Sequence, residues 1–161
     1  MATRHLDFVR LTEIAVEDIL AHMTDPRVAP HLPLLRSRWT TKDAEAFVAA
    51  KQACWTRDGL GHWAFLADGA YVGWGGFQLE DEEWDFGLVL TPEAFGLGPA
   101  IARKALAFAR NDSRIPFVTF LLAPTRRSLR AFERLGAIYV GEVESGGEVF
   151  RKFRLETASA A

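Results

Sequence analysis

The feature that most constrains this chain is an apolar, strand-like run that leads through a glycine-containing turn into a helix-like segment. The run ends at Leu90, and the turn contains Gly96 and Gly98, where glycine permits positive φ angles and adds no side-chain bulk. Pro99 suits a first helical turn because its missing N–H would have no partner there. The free amides that open the helix over residues 101–108 favour an anion, together with the helix dipole. We therefore predict a pocket for a phosphate-bearing ligand.

The turn does not match two common phosphate-binding motifs. A Walker A loop requires Gly-Lys-Ser/Thr, which does not follow Gly98, and a dinucleotide fingerprint requires a third glycine where Ile101 stands. A Gly-x-Gly pair alone is also compatible with an ordinary strand–helix connection. The turn by itself therefore leaves the kind of ligand open.

A second strand–helix segment, over residues 117–136, also suggests contact with an anion. Thr125 can cap a helix that ends at Gly136. Arg126 and Arg127 lie in its first turn, where the helix dipole would favour acidic side chains. A nearby anionic ligand explains this placement, and so do two solvated surface charges. The apolar positions that recur at helical spacing are Leu129, Phe132 and Leu135.

Size and charge fit a compact globular protein and exclude some partners. With 161 residues and a formal net charge of −2, we expect one domain over residues 1–161, with its core over about 6–155, and no nucleic-acid partner. No apolar run is long enough to span a membrane, and the first residues lack an apolar signal segment. We therefore expect a cytoplasmic protein with no membrane partner. No metal is expected, because the histidines lack metal-ligand spacing: His5, His22, His31 and His62.

The hydrophobic periodicity predicts the element order β-α-α-β-β-β-α-β-α-β-β, which implies a mixed α/β sheet with helices on both faces. Thr40 and Asp43 form a capping-box pattern at the start of the second helix. Gly73, Gly75 and Gly76 lie inside a predicted strand, which indicates a bulge or a close backbone approach. The predicted strands cover 8–11, 62–67, 71–79, 84–90, 117–122, 137–143 and 148–155; the helices end near 25, 58 and 111, and the last covers 126–135.

Strand 84–90 alternates between two faces. Asp85, Gly87 and Val89 point to one face, and the missing side chain of Gly87 leaves space beside Asp85. Asp85 is therefore a candidate functional carboxylate, with a solvated strand-end carboxylate as the alternative. The opposite, apolar face carries Trp84, Phe86, Leu88 and Leu90.

Together, the two segments resemble the GNAT superfamily of acyl-CoA-dependent N-acetyltransferases. Residues 95–100 are similar to its pyrophosphate loop, usually Gln/Arg-x-x-Gly-x-Gly/Ala. Gly98 and Ala100 fill the small positions, and Phe95 replaces the polar first residue. The resemblance covers the chain from about residue 6 to residue 155.

Other motifs resemble the branch that contains ribosomal-protein N-terminal acetyltransferases. An aromatic residue followed by Gly-x-Gly-x-Ala is typical of that branch. Thr125-x-x-Ser128, followed by residues 133–137, is similar to its Asn-x-x-Ser...Glu-Lys-x-Gly-Phe, and residues 62–76 are similar to its central hairpin. The order and spacing of these motifs are more specific than any one of them.

The resemblance implies a mostly antiparallel sheet and an acetyl-CoA-dependent N-acyltransferase. Such an enzyme moves an acetyl group to a primary amine, on a protein N-terminus or a small molecule, by direct attack on the thioester. Asp85 is the implied base, Ser128 the implied donor to the leaving thiolate, and a backbone N–H around 89–90 the implied oxyanion donor. The residues expected to bind acetyl-CoA or CoA are Leu88, Val89, Leu90, Phe95, Gly96, Leu97, Gly98, Pro99, Ala100, Ile101, Thr125, Arg127 and Ser128.

Departures from the family pattern keep other functions open. Phe132 replaces a tyrosine thought to act as the acid in many members, and phenylalanine has no proton to donate. Thr125 replaces an asparagine that commonly contacts pantetheine, and Pro99 lacks one phosphate donor. The alternatives are an acyl-CoA-binding module with little or no catalysis, acting as a sensor or partner protein, and an unrelated nucleotide-binding scaffold. His62 and Trp63 are candidates to line an acceptor pocket, with packing or exposure as the alternative; the acceptor and a homodimer stay open.

Overall fold

A seven-stranded sheet organises the described part of the chain. The computed structural model describes residues 4–28, 38–123 and 133–157. The strands are β1 (Leu6–Val9), β2 (His62–Ala67), β3 (Ala70–Glu80), β4 (Glu83–Leu90), β5 (Phe117–Leu122), β6 (Ile138–Ser145) and β7 (Glu148–Glu156). Their order is β1-β2-β3-β4-β5-β7-β6, and neighbours run antiparallel apart from the parallel pair β4 and β5. The mixed, mostly antiparallel sheet expected from the sequence is confirmed.

The helices begin and end largely where the sequence predicts. Thr40 and Asp43 form the expected capping box at the start of the second helix, since each side chain accepts from the other's backbone N–H. Gly59 ends that helix with a left-handed φ of 75°. The helices among the described residues are α1 (Val16–Thr24), α2 (Thr41–Asp58) and α3 (Gly98–Arg110), with 3₁₀ helices at Leu11–Glu13 and Pro92–Leu97.

Helices cover both faces of the sheet, as expected. On one face, α3 packs against a core rich in aromatic side chains. Its own residues Ile101 and Ala105 are completely buried in that core. On the other face, α1 and α2 contribute Ile19 and Ala44 to a smaller cluster around Trp74. The sheet residues of the first core include Trp63, Phe65, Phe77, Trp84 and Phe86.

Two glycines of β3 lie where a side chain would meet the backbone of β4. A Cβ on Gly75 would lie 2.2 Å from the carbonyl oxygen of Gly87, and one on Gly73 would lie 2.4 Å from that of Val89. Both β3 glycines have a φ of 151°, which side chains rarely allow. The close backbone approach expected at these positions is confirmed.

One sequence expectation about local structure is wrong, and another lies mostly outside the described residues. The first strand, expected at 8–11, is Leu6–Val9. A 3₁₀ helix begins directly after it, because the Arg10 N–H donates to the Glu13 carboxylate at 3.0 Å and turns the chain. Most of the helix expected at 126–135 lies outside the described residues.

Candidate active site

Strands β4 and β5 pair over a short stretch and then separate. The two strands pair at only two positions, Trp84 with Val118 and Asp85 with Thr119. Strand β4 then continues to Leu90 without a further paired residue of β5. The parallel strands therefore separate and leave an opening toward the C-terminal end of β4. We call this opening the β4–β5 cleft; it is flanked by residues 86–90 and 120–122.

Backbone groups of two β4 residues point into the β4–β5 cleft. The Thr91 N–H donates to the Val72 carbonyl of β3 at 2.9 Å. Backbone groups of successive residues in a strand point to opposite sides, so Val89 also faces β3, whereas Leu88 and Leu90 face the cleft. Of the oxyanion donors expected around 89–90, the geometry therefore favours the N–H of Leu90.

The expected positive φ angles of Gly96 and Gly98 are wrong. Gly98 has a φ of −50° and is the first residue of α3, and Gly96 is not among the glycines with positive φ. A Cβ on Gly96 would meet no described atom within 4 Å, and one on Gly98 would lie 3.7 Å from Leu90 Cδ1. Gly96 therefore leaves open space for an approaching ligand. Gly98 is not required by its backbone conformation, because an ordinary residue could adopt the same helical angles.

The N-terminus of α3 is left uncapped by side chains of the described residues. Leu97 precedes the helix without a side-chain hydrogen bond, and the first turn has no acidic residue. The Gly98 N–H donates to the Phe95 carbonyl, Pro99 has no N–H, and the Ile101 N–H makes the first bond of the helix, to the Leu97 carbonyl, so the first-turn donor left open is the N–H of Ala100. The helix dipole favours an anion at this position. Phe95 is half-exposed beside this end, and the buried side chain of Ile101 is not accessible to a ligand.

Asp85 lies at the closed end of the β4–β5 cleft and is partly buried. Its Oδ1 accepts a hydrogen bond of 3.3 Å from the Thr119 hydroxyl. Burial raises the pKa of Asp85 to about 7, and the charges of Glu80 and Glu83 also raise it, against the Thr119 hydrogen bond and the Lys152 charge. The carboxyl group therefore exchanges its proton near neutral pH, which suits a general base.

The raised pKa of Asp85 predicts a pH-dependent stability. The folded protein holds a proton that the unfolded chain releases, so the folded state loses stability as pH rises from 3.8 toward 7. Asp85→Asn should therefore gain about 2–3 kcal/mol more stability at about pH 8 than at about pH 5, relative to the original protein. Denaturant unfolding at both pH values measures this. Asp81→Asn, at an exposed position in the adjacent turn, is the control, and an equal gain at both pH values would contradict the raised pKa.

The structure adds polar residues that the sequence alone does not single out. Thr119 is buried beside Asp85. It is the one polar residue of the strand Phe117–Leu122, and this could have identified it as a candidate from the sequence. The Lys51 ammonium donates to Gln78 Oε1 at 2.8 Å and lies 5.0 Å from the centre of the Trp74 ring. Burial lowers the pKa of Lys51. A lysine on a helix usually indicates a solvated face, so no sequence signal pointed to this one.

The two residues expected to line an acceptor pocket separate onto opposite faces. His62 pairs with Gly76, which in turn pairs with Gly87, so His62 lies on the sheet face that carries Asp85. Trp63 lies on the other face, within the core beneath α3. Only His62 is therefore placed to contribute to the site.

Five residues discussed for the site lie outside the described part of the chain. No position can be given for the expected pantetheine contact, the expected phosphate contacts, the expected thiolate donor or the phenylalanine that replaces the family's tyrosine. These residues are Thr125, Arg126, Arg127, Ser128 and Phe132.

A separate cavity of about 490 Å³ lies beside α1. Its lining includes the carboxylates of Asp18, Asp25 and Glu93, which do not suit a phosphate ligand. Across the described ranges 4–28, 38–123 and 133–157, no cluster of three or more histidine, cysteine or acidic side chains could hold a metal ion. None of the helices in these ranges is long and apolar enough to cross a membrane.

The β4–β5 cleft, the start of α3 and the partly buried carboxyl group of Asp85 all lie on or beside strand β4. The sequence model described as "Acetyltransferase (GNAT) domain" matches residues 5–138. The chain belongs to this family, and the acyltransferase class expected from the sequence is confirmed. No curated protein matches the chain significantly.

Solved structures share the fold at low sequence identity. A GNAT-family acetyltransferase from Bacillus anthracis is 18% identical over 96% of this chain and 97% of its own, with a TM-score of 0.70. An acetyltransferase from Agrobacterium tumefaciens is 21% identical over 97% of this chain and 92% of its own, with a TM-score of 0.69. The aminoglycoside acetyltransferase AAC(6')-Ib, in complex with ribostamycin and coenzyme A, is 14% identical over 99% of this chain and 100% of its own, with a TM-score of 0.74. The GNAT-like fold expected from the sequence is confirmed.

Proposed function

We propose that this protein is an N-acetyltransferase that uses acetyl-CoA to acetylate a primary amine. The observation that carries the proposal is the β4–β5 cleft and the residue at its closed end. This residue is Asp85, whose partly buried carboxyl group has a pKa near 7. Acetyl-CoA is the co-substrate expected for this family, and AAC(6')-Ib structures contain coenzyme A or acetyl-CoA. We infer that residues 1–161 form one such domain.

The residues available to hold acetyl-CoA fit its two main parts. The N–H of Ala100 and the dipole of α3 suit the pyrophosphate, and the open surface at Gly96 lets it approach them. The backbone groups of Leu88 and Leu90 suit the amide groups of the pantetheine arm, because they point into the cleft like an unpaired strand edge. The Leu90 N–H can also stabilise charge on the thioester oxygen during attack.

The chemistry requires one proton to leave the attacking amine. Acetyl-CoA supplies a thioester whose carbonyl carbon is attacked by the neutral amine. Asp85 accepts a proton from that amine, and its raised pKa makes it a better base than an ordinary carboxylate. Thr119 holds the carboxyl group in place through its hydroxyl. Ser128 remains our proposed donor to the leaving thiolate by resemblance alone.

The acceptor is a protein N-terminus or a small-molecule amine. The resemblance of the sequence to ribosomal-protein N-terminal acetyltransferases supports the first. The AAC(6')-Ib complexes with ribostamycin and paromomycin support the second, because they are aminoglycoside complexes of the same fold. Both acceptor classes present a primary amine, so both are compatible with the proposed chemistry.

Thiol release from acetyl-CoA tests the proposal. We expect a panel of primary amines, containing short peptides with free N-termini and aminoglycosides, to include acceptors that raise thiol release above the rate without amine. Calorimetry with CoA is run in parallel. Tight CoA binding without amine-dependent release would favour the acyl-CoA-binding module that Phe132 suggests, and the absence of CoA binding would contradict both functions.

A further inference from the structure

Lys51 is a partly buried cation on α2 that lacks a carboxylate partner in the described part of the chain. None of the ion pairs found there includes its ammonium group. An ammonium has three N–H groups, and within the same residues this one donates only to Gln78 Oε1, at 2.8 Å. The undescribed ranges contain no aspartate or glutamate side chain that could complete an ion pair.

The surroundings of Lys51 offset only part of the cost of burying its charge. The ring centres of Phe47 and Trp74 lie 5.4 and 5.0 Å from the ammonium nitrogen, within the range of a cation–π contact, but aromatic rings supply no formal negative charge. Burial lowers the pKa of Lys51, although negative charges nearby act in the opposite direction. Buried charges in proteins are usually paired. An anion bound beside the ammonium would supply the missing partner.

The Lys51 ammonium reaches the sheet beside the proposed base. Its partner Gln78 lies directly opposite Asp85 in the antiparallel pairing of β3 and β4, so both side chains are on the same face. The Cβ atoms of directly opposite residues are about 4.5–5.5 Å apart. Besides the larger effect of burial, which lowers it, the pKa of Lys51 responds to the charge of Asp85. The ammonium and the carboxyl group are therefore close enough to contact the same small molecule.

The surface around the two groups is accessible. Lys51, Gln78 and Asp85 are each partly exposed. Gly87 follows Asp85 on the same face toward the open end of the β4–β5 cleft; it is also partly exposed and has no side chain. Lys152, the other cation that acts on Asp85, is already paired with Glu83 at 2.5 Å. Lys51 is therefore the cation near Asp85 that remains available to a ligand in the described part of the chain.

We propose that the acceptor is an amino acid, whose carboxylate binds the Lys51 ammonium while its primary amine lies at Asp85. This inference rests on the proposed function and names its acceptor class. In an α-amino acid, one carbon joins the amine to the carboxylate, so the two groups can bind side chains that lie at neighbouring positions of a sheet. An aminoglycoside carries several cationic amines and no carboxylate, so the Lys51 charge disfavours it.

The bond changes are those of the proposed acetyl transfer. The neutral amine forms a bond to the thioester carbon, the carbon–sulfur bond breaks, and its electron pair leaves with the CoA thiolate. Asp85 takes one proton from the nitrogen, and the other N–H remains in the product amide. The carboxylate held by Lys51 takes no part in these changes. Its role is to fix the position of the amine relative to Asp85 and the thioester.

Acetylation of amino acids and of their α-amides tests the proposal. The pairs are phenylalanine, glycine and glutamate, each compared with its α-amide, which keeps the primary amine and the side chain but has no α-carboxylate. We expect kcat/KM for the acid to be at least about 10 times that for the amide. The amide has the less basic amine, so amine ionisation would favour the amide near neutral pH. Equal turnover of acids and amides, or faster turnover of the amides, would overturn the proposal.

Variants show whether the preference for acids depends on Lys51. Lys51→Met keeps an unbranched side chain but no charge, so it should raise the KM of the acids about 10- to 100-fold and leave the KM for acetyl-CoA and the turnover of the amides unchanged. Lys51→Arg should recover part of the preference, because a guanidinium also binds a carboxylate. Lys42→Met makes the same change at an exposed position near the start of α2 and should retain the preference. An unchanged preference in folded Lys51→Met would contradict the proposed contact.

A binding measurement distinguishes failure of the inference from failure of the proposed function. The chain has four lysines, so the lysine side-chain NMR signals are few, and the signal missing from Lys51→Arg identifies Lys51. In the CoA-saturated protein, at least one of the three amino acids should raise the pKa of Lys51, because a bound carboxylate stabilises the ammonium, and its amide should not. If no amine is acetylated but this pKa rises, the proposed function fails and the carboxylate site stands. If none of the three amino acids changes the pKa of Lys51, the inference is wrong whatever the protein catalyses.

Discussion

Asp85→Asn is expected to lower turnover by a factor of about 10²–10⁴, the usual loss when a general base is removed. Most free amines are protonated near neutral pH, and the attacking nitrogen must lose a proton during the reaction. Asparagine has nearly the shape of aspartate and can still meet the Thr119 hydroxyl, but it cannot accept that proton. Acetyl-CoA affinity should therefore be unchanged. Steady-state kinetics with an acceptor identified from the amine panel, together with CoA calorimetry, measure both quantities.

The pH profile separates a lost base from a general disturbance of the site. In the original protein, kcat/KM should rise with pH through about 7, because the carboxyl group of Asp85 must be deprotonated to act. That rise should be missing in Asp85→Asn, and only the titration of the free amine should remain. Asp81→Asn makes the same chemical change at an exposed position near the start of β4 and should retain the original profile. Equal turnover of Asp85→Asn and the original protein across the pH range would remove Asp85 from the mechanism.

The sequence predicted the position of Asp85 but not its environment. Strict alternation along β4 is a local property, so it was sufficient to place Asp85 and Gly87 on one face. The raised pKa of Asp85 depends on burial among several elements and on charges such as Glu80 across the β3–β4 hairpin. These contacts join residues from several segments of the chain, and no local pattern encodes them. The role of Asp85 as a base was inferred from the resemblance to a family. The burial that raises its pKa, and so suits that role, is a property of the folded chain.

The β4–β5 cleft and the position of His62 could likewise not be predicted from local sequence patterns. The separation of β4 from β5 after Asp85 arises from pairing between distant segments, and each segment has the sequence pattern of an ordinary strand. His62 was identified as a candidate, but its contact with Gly87 requires the register of three strands at once. The expectation at Gly98 was wrong because a glycine can be present for space as well as for a positive φ.

Gly98→Val is expected to weaken CoA binding about 10- to 100-fold, because loss of one hydrogen bond to a charged phosphate costs about 1.5–3 kcal/mol. The added side chain would occupy the surface over which a pyrophosphate must approach the N–H of Ala100. Because Gly98 has helical φ and ψ angles of −50° and −51°, valine introduces no backbone strain. Its Cβ would lie at an ordinary 3.7 Å from Leu90 Cδ1, so the variant should remain folded. Calorimetry with CoA gives the affinity, and thermal unfolding without ligand confirms the fold.

Graded variants show whether bulk at this position is the cause. Gly98→Ala adds a single methyl group and should weaken CoA binding less than valine does. Ala107→Val places the same β-branched side chain on an exposed position near the far end of α3, and should leave CoA affinity unchanged. Equal CoA affinity in the original protein and in folded Gly98→Val would show that the pyrophosphate does not lie against the start of α3. The phosphate-binding role inferred from the glycine turn would then be wrong, and the expected contacts at residues 96–101 would be wrong with it, since all of them depend on the same open helix end.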